Sequence, residues 1–288
     1  AINEIFKIKQ RPFFNPLIVH INSLEQLDEL AKDIPEKARL LAETFWPGSL
    51  TLVLKKQSVV PDLVTGGKDS VAIRIPNHPT ALALLKELKF PLAAPSANPF
   101  GCISPTSAFH VASYFKDKLP MILDGGNCKN GIESTIIGFE NNEAVLYRLG
   151  SITVEEIENV IGKIQIKNKN ENNPDAPGMS LKHYAPATVA FLVEDVMQFI
   201  KIFSGKKIGL LLFKEKITSA DVKHQEVLSQ KGDLKEAASK LYAAMHRLDK
   251  QNLDFIVAQR FPDSDLGKSI NDRLERACYV KPITYLNK

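Results

Sequence analysis

The sequence predicts an α/β protein of two domains, the first built on a mixed, twisted sheet with helices and the second on a smaller, largely parallel sheet. Three observations carry this. Short apolar runs rich in branched residues alternate with segments whose apolar side chains recur every three or four positions, the pattern of strands exchanging with amphipathic helices. The chain has 288 residues, more than the roughly 100–200 that one domain commonly holds. A single long polar stretch at 167–178 (KNKNENNPDAPG) has no apolar period and reads as a connector. The expected division is a first domain over 1–163, a linker over 164–187 and a second domain over 188–288.

In the first domain, strands are expected at 16–21 (PLIVHI), 49–55 (SLTLVLK), 70–75 (SVAIRI), 91–95 (PLAAP) and 121–124 (MILD). A hairpin follows, with arms at 133–139 and 143–148, turning through Asn141 and Asn142, residues that tolerate positive φ. Helical spacing covers 1–9, 24–32, 36–46, 78–88, 106–115 and 153–162, with Thr153 and Glu156 placed for a capping box. Crossovers together with a hairpin require a mixed sheet. After the linker, 188–193 (TVAFLV), 206–213 (KKIGLLLF) and 254–261 (DFIVAQRF) read as buried strands. Leu234, Ala237, Ala238, Leu241, Ala244, Met245 and Leu248 form one apolar helix face.

Composition excludes several classes. Lys and Arg total 37 against 33 Asp and Glu, and a pI near 8.8 falls short of a dedicated polyanion binder. Cys102, Cys128 and Cys278 stand far apart without a C-x-x-C pair, which argues against a zinc ribbon or disulfide scaffold and fits a reducing cytosol. No apolar run approaches the roughly 18–20 residues that span a bilayer, and the first ten residues lack a signal-peptide core, so a cytoplasmic protein without membrane contact is expected. The dinucleotide G-x-G-x-x-G, the P-loop, H-E-x-x-H and G-x-S-x-G are all missing.

What remains are polar residues set against apolar strands. Lys9 and Arg11 sit where the opening helix should end, because Pro12 disfavours helical geometry at Arg11 and leaves it able to point into a site. Two cations this close suit a triphosphate, although they could equally offset a helix dipole. Ser96 and Asn98 follow an apolar strand between Pro95, Pro99 and Gly101, where ligands of open α/β sheets often bind; an ordinary turn-rich loop is the alternative. Ser104, before Pro105, reads equally as a cap for the helix at 106–115. Arg74 inside an apolar strand either faces solvent or answers an anion. Ser134, Thr135 and Arg148 should meet at one end of the hairpin, or form a solvated ribbon. His20 at a strand end can be structural or functional, and His183 and Tyr184 in the linker can be functional or a docking contact.

Taken in order, these segments resemble the threonylcarbamoyl-AMP synthase family, whose catalytic domain is YrdC-like, in its longer form with an additional C-terminal α/β domain. KIKQRPFFNPLIVHI (7–21) is similar to the family's opening basic motif, its Lys9 and Arg11 pairing with the Ser-x-Asn of Ser96 and Asn98. FWPGSLTLVL, SVAIRIP, AAPSANPFGCISPT, ESTII and YRLGSIT follow in the family's order, and PGMSLKHYAP (177–186) is similar to the linker signature of the two-domain form. The resemblance implies a YrdC-like mixed sheet followed by a Rossmann-like domain. It implies ATP contacts from Arg11, Asn15, Ser70, Ser96, Asn98, Ser104, Arg148 and Tyr184. It places L-threonine on His20, Arg74, the backbone at Ala94, and Ser134, and gives catalytic roles to Lys9, Arg11 and Arg148. The implied reaction joins L-threonine, bicarbonate and ATP, with Mg2+ accompanying the ATP and no metal held by the protein itself. It releases pyrophosphate and hands threonylcarbamoyl-AMP to a tRNA-modifying transferase complex, with contact to RNA as a further expectation. The family pattern also carries a strand and a Pro-Thr-Glu-Thr-Val-Tyr-Gly-like segment before the opening helix, so part of the threonine site is expected to lie outside a chain that begins at Ala1. Two other classes compete: an RNA- or ribosome-binding module without synthase activity, and a carbamoyl transferase of hydrogenase maturation, whose cysteine-rich zinc motifs are missing here.

Overall fold

The computed structural model describes residues 1–168, 177 and 183–279. Packing divides the chain into two compact units, one made of Ala1–Phe100, Ser107–Asn127 and Glu133–Leu181, the other of Gly101–Thr106, Cys128–Ile132 and Lys182–Lys288.

The first unit runs α1 (Ile2–Lys9), β1 (Ile18–His20), α2 (Glu25–Leu30), α3 (Glu36–Phe45), β2 (Leu50–Lys55), α4 (Asp62–Thr65), β3 (Ser70–Arg74), α5 (Pro79–Glu87), β4 (Leu92–Ala94), α6 (Ala108–Phe115), β5 (Thr135–Glu140), β6 (Glu143–Arg148), α7 (Val154–Ile161) and β7 (Gln165–Ile166). Its seven strands lie in the order β4-β1-β3-β2-β5-β6-β7. Parallel neighbours (β1 with β3, β2 with β5, β6 with β7) and antiparallel ones make the sheet mixed, as expected. Side chains alternate across it. Val19, Leu50, Leu52, Val71, Ile73, Ile137 and Leu146 face the main core, while Ile18, Val53, Ala72, Ile136, Val145 and Tyr147 form a smaller cluster on the opposite face. The hairpin turns at Asn141 and Asn142, with φ of 49° and 66°. Thr153 and Glu156 complete the capping box of α7.

The second unit holds β8 (Ala190–Val193), α8 (Val196–Ile202), β9 (Ile208–Leu212), β10 (Val222–Val227), α9 (Leu234–Asp249), β11 (Phe255–Gln259) and α10 (Asp265–Ala277). Its sheet, ordered β10-β9-β11-β8, is parallel throughout. The predicted face of α9 is buried from Ala237 to Leu248.

Several expectations are corrected. Residues 121–124 form no strand: Met121 is 79% and Leu123 59% exposed, because a run of three apolar residues and Asp124 between Pro120 and Gly125 finds no strand to pair with. Ser107, not Ser104, caps α6, accepting from the backbone N–H of His110. The 164–187 stretch is structured at both described ends, since Gln165 and Ile166 pair with β6 and Ala185 N–H donates to the Gly101 carbonyl at 2.8 Å. Most of its middle, 169–176 and 178–182, lies outside the described residues. Two pieces of the N-terminal half, Gly101–Thr106 and Cys128–Ile132, belong with the second unit, where Ile103 and Ile132 pack in its core and the Ser104 carbonyl contacts His246 Nε2 at 3.2 Å.

Candidate active site

Register sorts the candidate residues of the first unit to two ends of one sheet. His20 stands opposite Arg74 in the β1–β3 pair and opposite Leu92 in the β1–β4 pair. Leu52 pairs with Ile73 and Leu50 with Thr135, so Thr51 and the entry to β5 reach the same end. A bulge between Ile136 and Ile137 sets Arg148 opposite Ile136 and brings the last residue of β6 there too. His20, Arg74, Ser134 and Arg148 therefore gather at one end. Ser70, opposite Lys55, marks the other end, roughly 13 Å away at about 3.3 Å per strand residue. The loop entering β1, with Arg11 and Asn15, and the loop leaving β4, with Ser96 and Asn98, also lie at the Ser70 end, because β1 and β4 are antiparallel and Ile18 pairs with Ala94.

At the Ser70 end, Lys9 closes α1 and is only 5% exposed. Its Nζ donates to the Ser96 carbonyl at 2.6 Å and to the Asn98 carbonyl, while Phe100 N–H donates to the Lys9 carbonyl at 2.8 Å. The ammonium and the backbone thus fix the Ser96–Asn98 loop together. Asn98 is buried at 1%, whereas the Ser96 side chain is exposed. Arg11 follows the helix, as expected, after a left-handed Gln10 (φ 54°). It does not point outward. Its guanidinium turns in, donating to Asn15 Oδ1 and the Pro16 carbonyl, each at 2.7 Å, and is 6% exposed. A buried guanidinium needs acceptors close by, and the loop from Arg11 to Pro16 wraps around it to supply them.

At the opposite end, Arg148 is 4% exposed. Its Nε and Nη2 donate to the Ser134 carbonyl at 3.0 and 2.9 Å, Nη2 donates to Ser134 Oγ at 2.9 Å, and Nη1 donates to the Pro177 carbonyl at 3.1 Å. Ser134 and Arg148 thus converge, one of the two arrangements the hairpin pattern left open, while Thr135 Oγ1 donates instead to the Ile152 carbonyl at 2.5 Å. Arg74 is half-buried and donates from Nε to the Gly48 carbonyl at 2.8 Å. Gly48 is held tightly, for a Cβ there would fall 2.0 Å from the Phe45 carbonyl oxygen. Gly150 is equally constrained, since a Cβ would lie 2.2 Å from Thr135 N. Thr51, Gly48 and Gly150 shape the site without having stood out in the sequence. The signal for Thr51 was a lone hydroxyl inside the apolar run LTLVL at 50–54.

His20 Nδ1 lies 3.3 Å from the Leu92 carbonyl. Because that oxygen only accepts, Nδ1 carries the hydrogen and Nε2 is the acceptor. Burial, and then the neighbouring Arg74 charge, push the imidazole down from 6.5 to about 4. The unfolded chain binds this proton at higher pH than the folded one, so the stability His20 contributes is complete above about pH 6.5 and is lost as pH falls toward about 4. Replacing His20 by Asn should shrink the drop in melting temperature between about pH 7 and about pH 5. An equal drop in parent and variant would contradict a neutral, enclosed His20.

Not all expected residues join this sheet. Ser104 and Tyr184 belong to the second unit. Tyr184 is 1% exposed within that unit's core, its ring 5.6 Å from that of Tyr242 and 5.2 Å from the Arg273 guanidinium carbon. The expected nucleotide residues thus divide three ways: Lys9, Arg11, Asn15, Ser70, Ser96 and Asn98 at one end of the first sheet, Arg148 at the other, and Ser104 and Tyr184 in the second unit. Among the described residues no group of three His, Cys, Asp or Glu side chains could hold a metal ion, and no helix is long and apolar enough to cross a membrane.

The family described as "Telomere recombination" matches residues 1–150, and the one described as "Threonylcarbamoyl-AMP synthase, C-terminal domain" matches residues 152–278. The threonylcarbamoyl-AMP synthase of Pyrococcus abyssi is 43% identical over 291 residues, covering 96% of this chain and 84% of the relative. The chain belongs to the threonylcarbamoyl-AMP synthase family. The Bacillus subtilis member of the family is 40% identical, with 96% of this chain and 83% of the relative covered. The crystal structure of P. abyssi Sua5 complexed with L-threonine matches with a TM-score of 0.89 at 41% identity, over 97% of this chain and 86% of that one. The C-terminal match of the family begins at 152 and so includes α7 and β7, which pack with the first unit.

Proposed function

We propose that this chain is a nucleotidyltransferase that forms L-threonylcarbamoyl-AMP and pyrophosphate from L-threonine, bicarbonate and ATP, for the threonylcarbamoyladenosine modification of tRNA. One observation carries the reading: a single sheet presents a cation-held polar loop cluster at one end and the His20, Arg74, Ser134 and Arg148 group at the other. An extended triphosphate and a small amino acid fit such a division. Arg74 takes the threonine carboxylate, and the neutral His20 offers Nε2 as acceptor to the amine or hydroxyl. The amine captures carbon dioxide with loss of a proton, or bicarbonate with loss of water, to give a carbamate. A carbamate oxygen then bonds to the α-phosphorus as the bond from that phosphorus to the bridging oxygen breaks, and pyrophosphate leaves with the electron pair.

The second step needs positioning and charge stabilisation more than proton transfer. Lys9 orders the loop that meets the phosphates, Arg11 and Asn15 shape the turn beside it, and Arg148 places a cation beside Ser134 where the amino acid binds. Mg2+ would arrive on the ATP phosphates, where its charge assists pyrophosphate departure, an arrangement that needs no protein cage. The support for this set is the convergence of its members by register and hydrogen bonding. Pyrophosphate release, measured with ATP, L-threonine and bicarbonate omitted one at a time, should require all three. Release from ATP alone would overturn the reading.

A further inference from the structure

We propose that Thr51 is a positioning residue of the reaction, acting through Ser134, an inference that rests on the synthase reading above. Thr51 is the second residue of β2, is fully enclosed at 0% exposure, and lies on the sheet face opposite to Leu50 and Leu52, the face shared by Val53 and Ala72. Arg74 and His20 share that face, two residues on from Ala72 and Ile18. Nothing polar would be needed there for packing alone, since valine has the same shape.

The Thr51 hydroxyl lies 2.7 Å from Ser134 Oγ, and Arg148 Nη2 lies 2.9 Å from the same Ser134 oxygen. A guanidinium only donates, so Ser134 Oγ accepts from Arg148. Two hydroxyl hydrogens then remain in the Ser134–Thr51 pair, and only one can lie between the two oxygens. The other meets no protein acceptor among the described residues. A buried donor of this kind is costly unless an acceptor arrives. At this end of the sheet the acceptor is a carboxylate or carbamate oxygen of the substrate. With Thr51 donating on one side and Arg148 on the other, the Ser134 hydroxyl hydrogen is left for an incoming acceptor, and at this end of the sheet that acceptor belongs to the amino acid, not the nucleotide.

The test compares Thr51→Val, which keeps the shape and removes the hydroxyl, with Thr51→Ser, which keeps the hydroxyl. Steady-state pyrophosphate release is followed against L-threonine and against ATP, and thermal unfolding is recorded for each protein. Thr51→Val should raise the KM for threonine about tenfold, as expected for one lost buried hydrogen bond, and leave the KM for ATP within about twofold. Thr51→Ser should restore the threonine KM to within about twofold of the parent. If Thr51→Val does not fold, Thr51→Ala is the second hydroxyl-free variant, with the same expected split. A threonine KM unchanged in the hydroxyl-free variant, or one raised equally in Thr51→Ser, overturns the proposal while leaving the synthase reading intact. A parent chain that releases no pyrophosphate in response to threonine overturns both.

Discussion

Arg148→Ala is expected to lower threonine- and bicarbonate-dependent pyrophosphate release by roughly 10²–10³, the usual cost of losing one preorganised group that stabilises transition-state charge. The geometry makes this residue the most sensitive at its end of the sheet. Three hydrogen bonds run from it to Ser134, and one runs to Pro177. Removing the guanidinium takes away the cation and also strands the buried Ser134 carbonyl, so the melting temperature should fall as well. Arg148→Lys separates the two effects. It keeps the charge but cannot fork onto both Ser134 oxygens, so an intermediate rate with a nearly parental KM for ATP is expected. Turnover by Arg148→Ala within about twofold of the parent would remove Arg148 from the chemistry.

Lys9→Met should produce a loss of similar size, roughly 10²–10³ in the rate at limiting ATP, but with the opposite substrate signature. Methionine matches the length and flexibility of the lysine stem and lacks its ammonium. The main-chain bond from Phe100 N–H to the Lys9 carbonyl survives, so the helix end stays attached while the Ser96 and Asn98 carbonyls lose their shared donor. The loop then loosens at the nucleotide end only. The KM for ATP should rise while the KM for threonine moves little, because the two groups lie about 13 Å apart along β3. Equal changes in both constants would mean that Lys9 serves the fold and not the nucleotide loop. Measured together, the two variants read the division of the sheet directly.

Local signals proved the most legible part of the sequence. The Asn141–Asn142 turn needs positive φ, and the alternation on either side fixes the hairpin register that delivers Arg148 to Ser134. Thr153 and Glu156 announce α7 by the hydrogen bonds they exchange. Less legible were segments whose structure depends on distant partners. The run at 121–124 looks like a strand in isolation, yet a strand needs a neighbour. β10 (VKHQEV) carries mostly polar residues and forms because β9 offers it an edge. Gly101–Thr106 reads as a continuation of the first domain but is claimed by packing against Tyr184, His246 and the second core.

The candidate site shows the same division. Residue types and order pointed to Lys9, Ser96, Asn98, Ser134 and Arg148, and hydrogen bonds link Lys9 with Ser96 and Asn98, and Arg148 with Ser134. The inward turn of Arg11 was not readable, because beside Asn15 Oδ1 its acceptors are the backbone carbonyls of Asn15 and Pro16, which no sequence displays. Thr51 was hidden for a related reason: a hydroxyl in an apolar strand gains meaning only when the strand opposite places another hydroxyl within reach.

The most direct test of the account is incorporation of radiolabelled bicarbonate into an adenylate by this chain. Label should enter threonylcarbamoyl-AMP only when ATP and L-threonine are both present, and the product should be formed in step with pyrophosphate. Label incorporation that proceeds without threonine, or pyrophosphate released with no labelled adenylate formed, would contradict it.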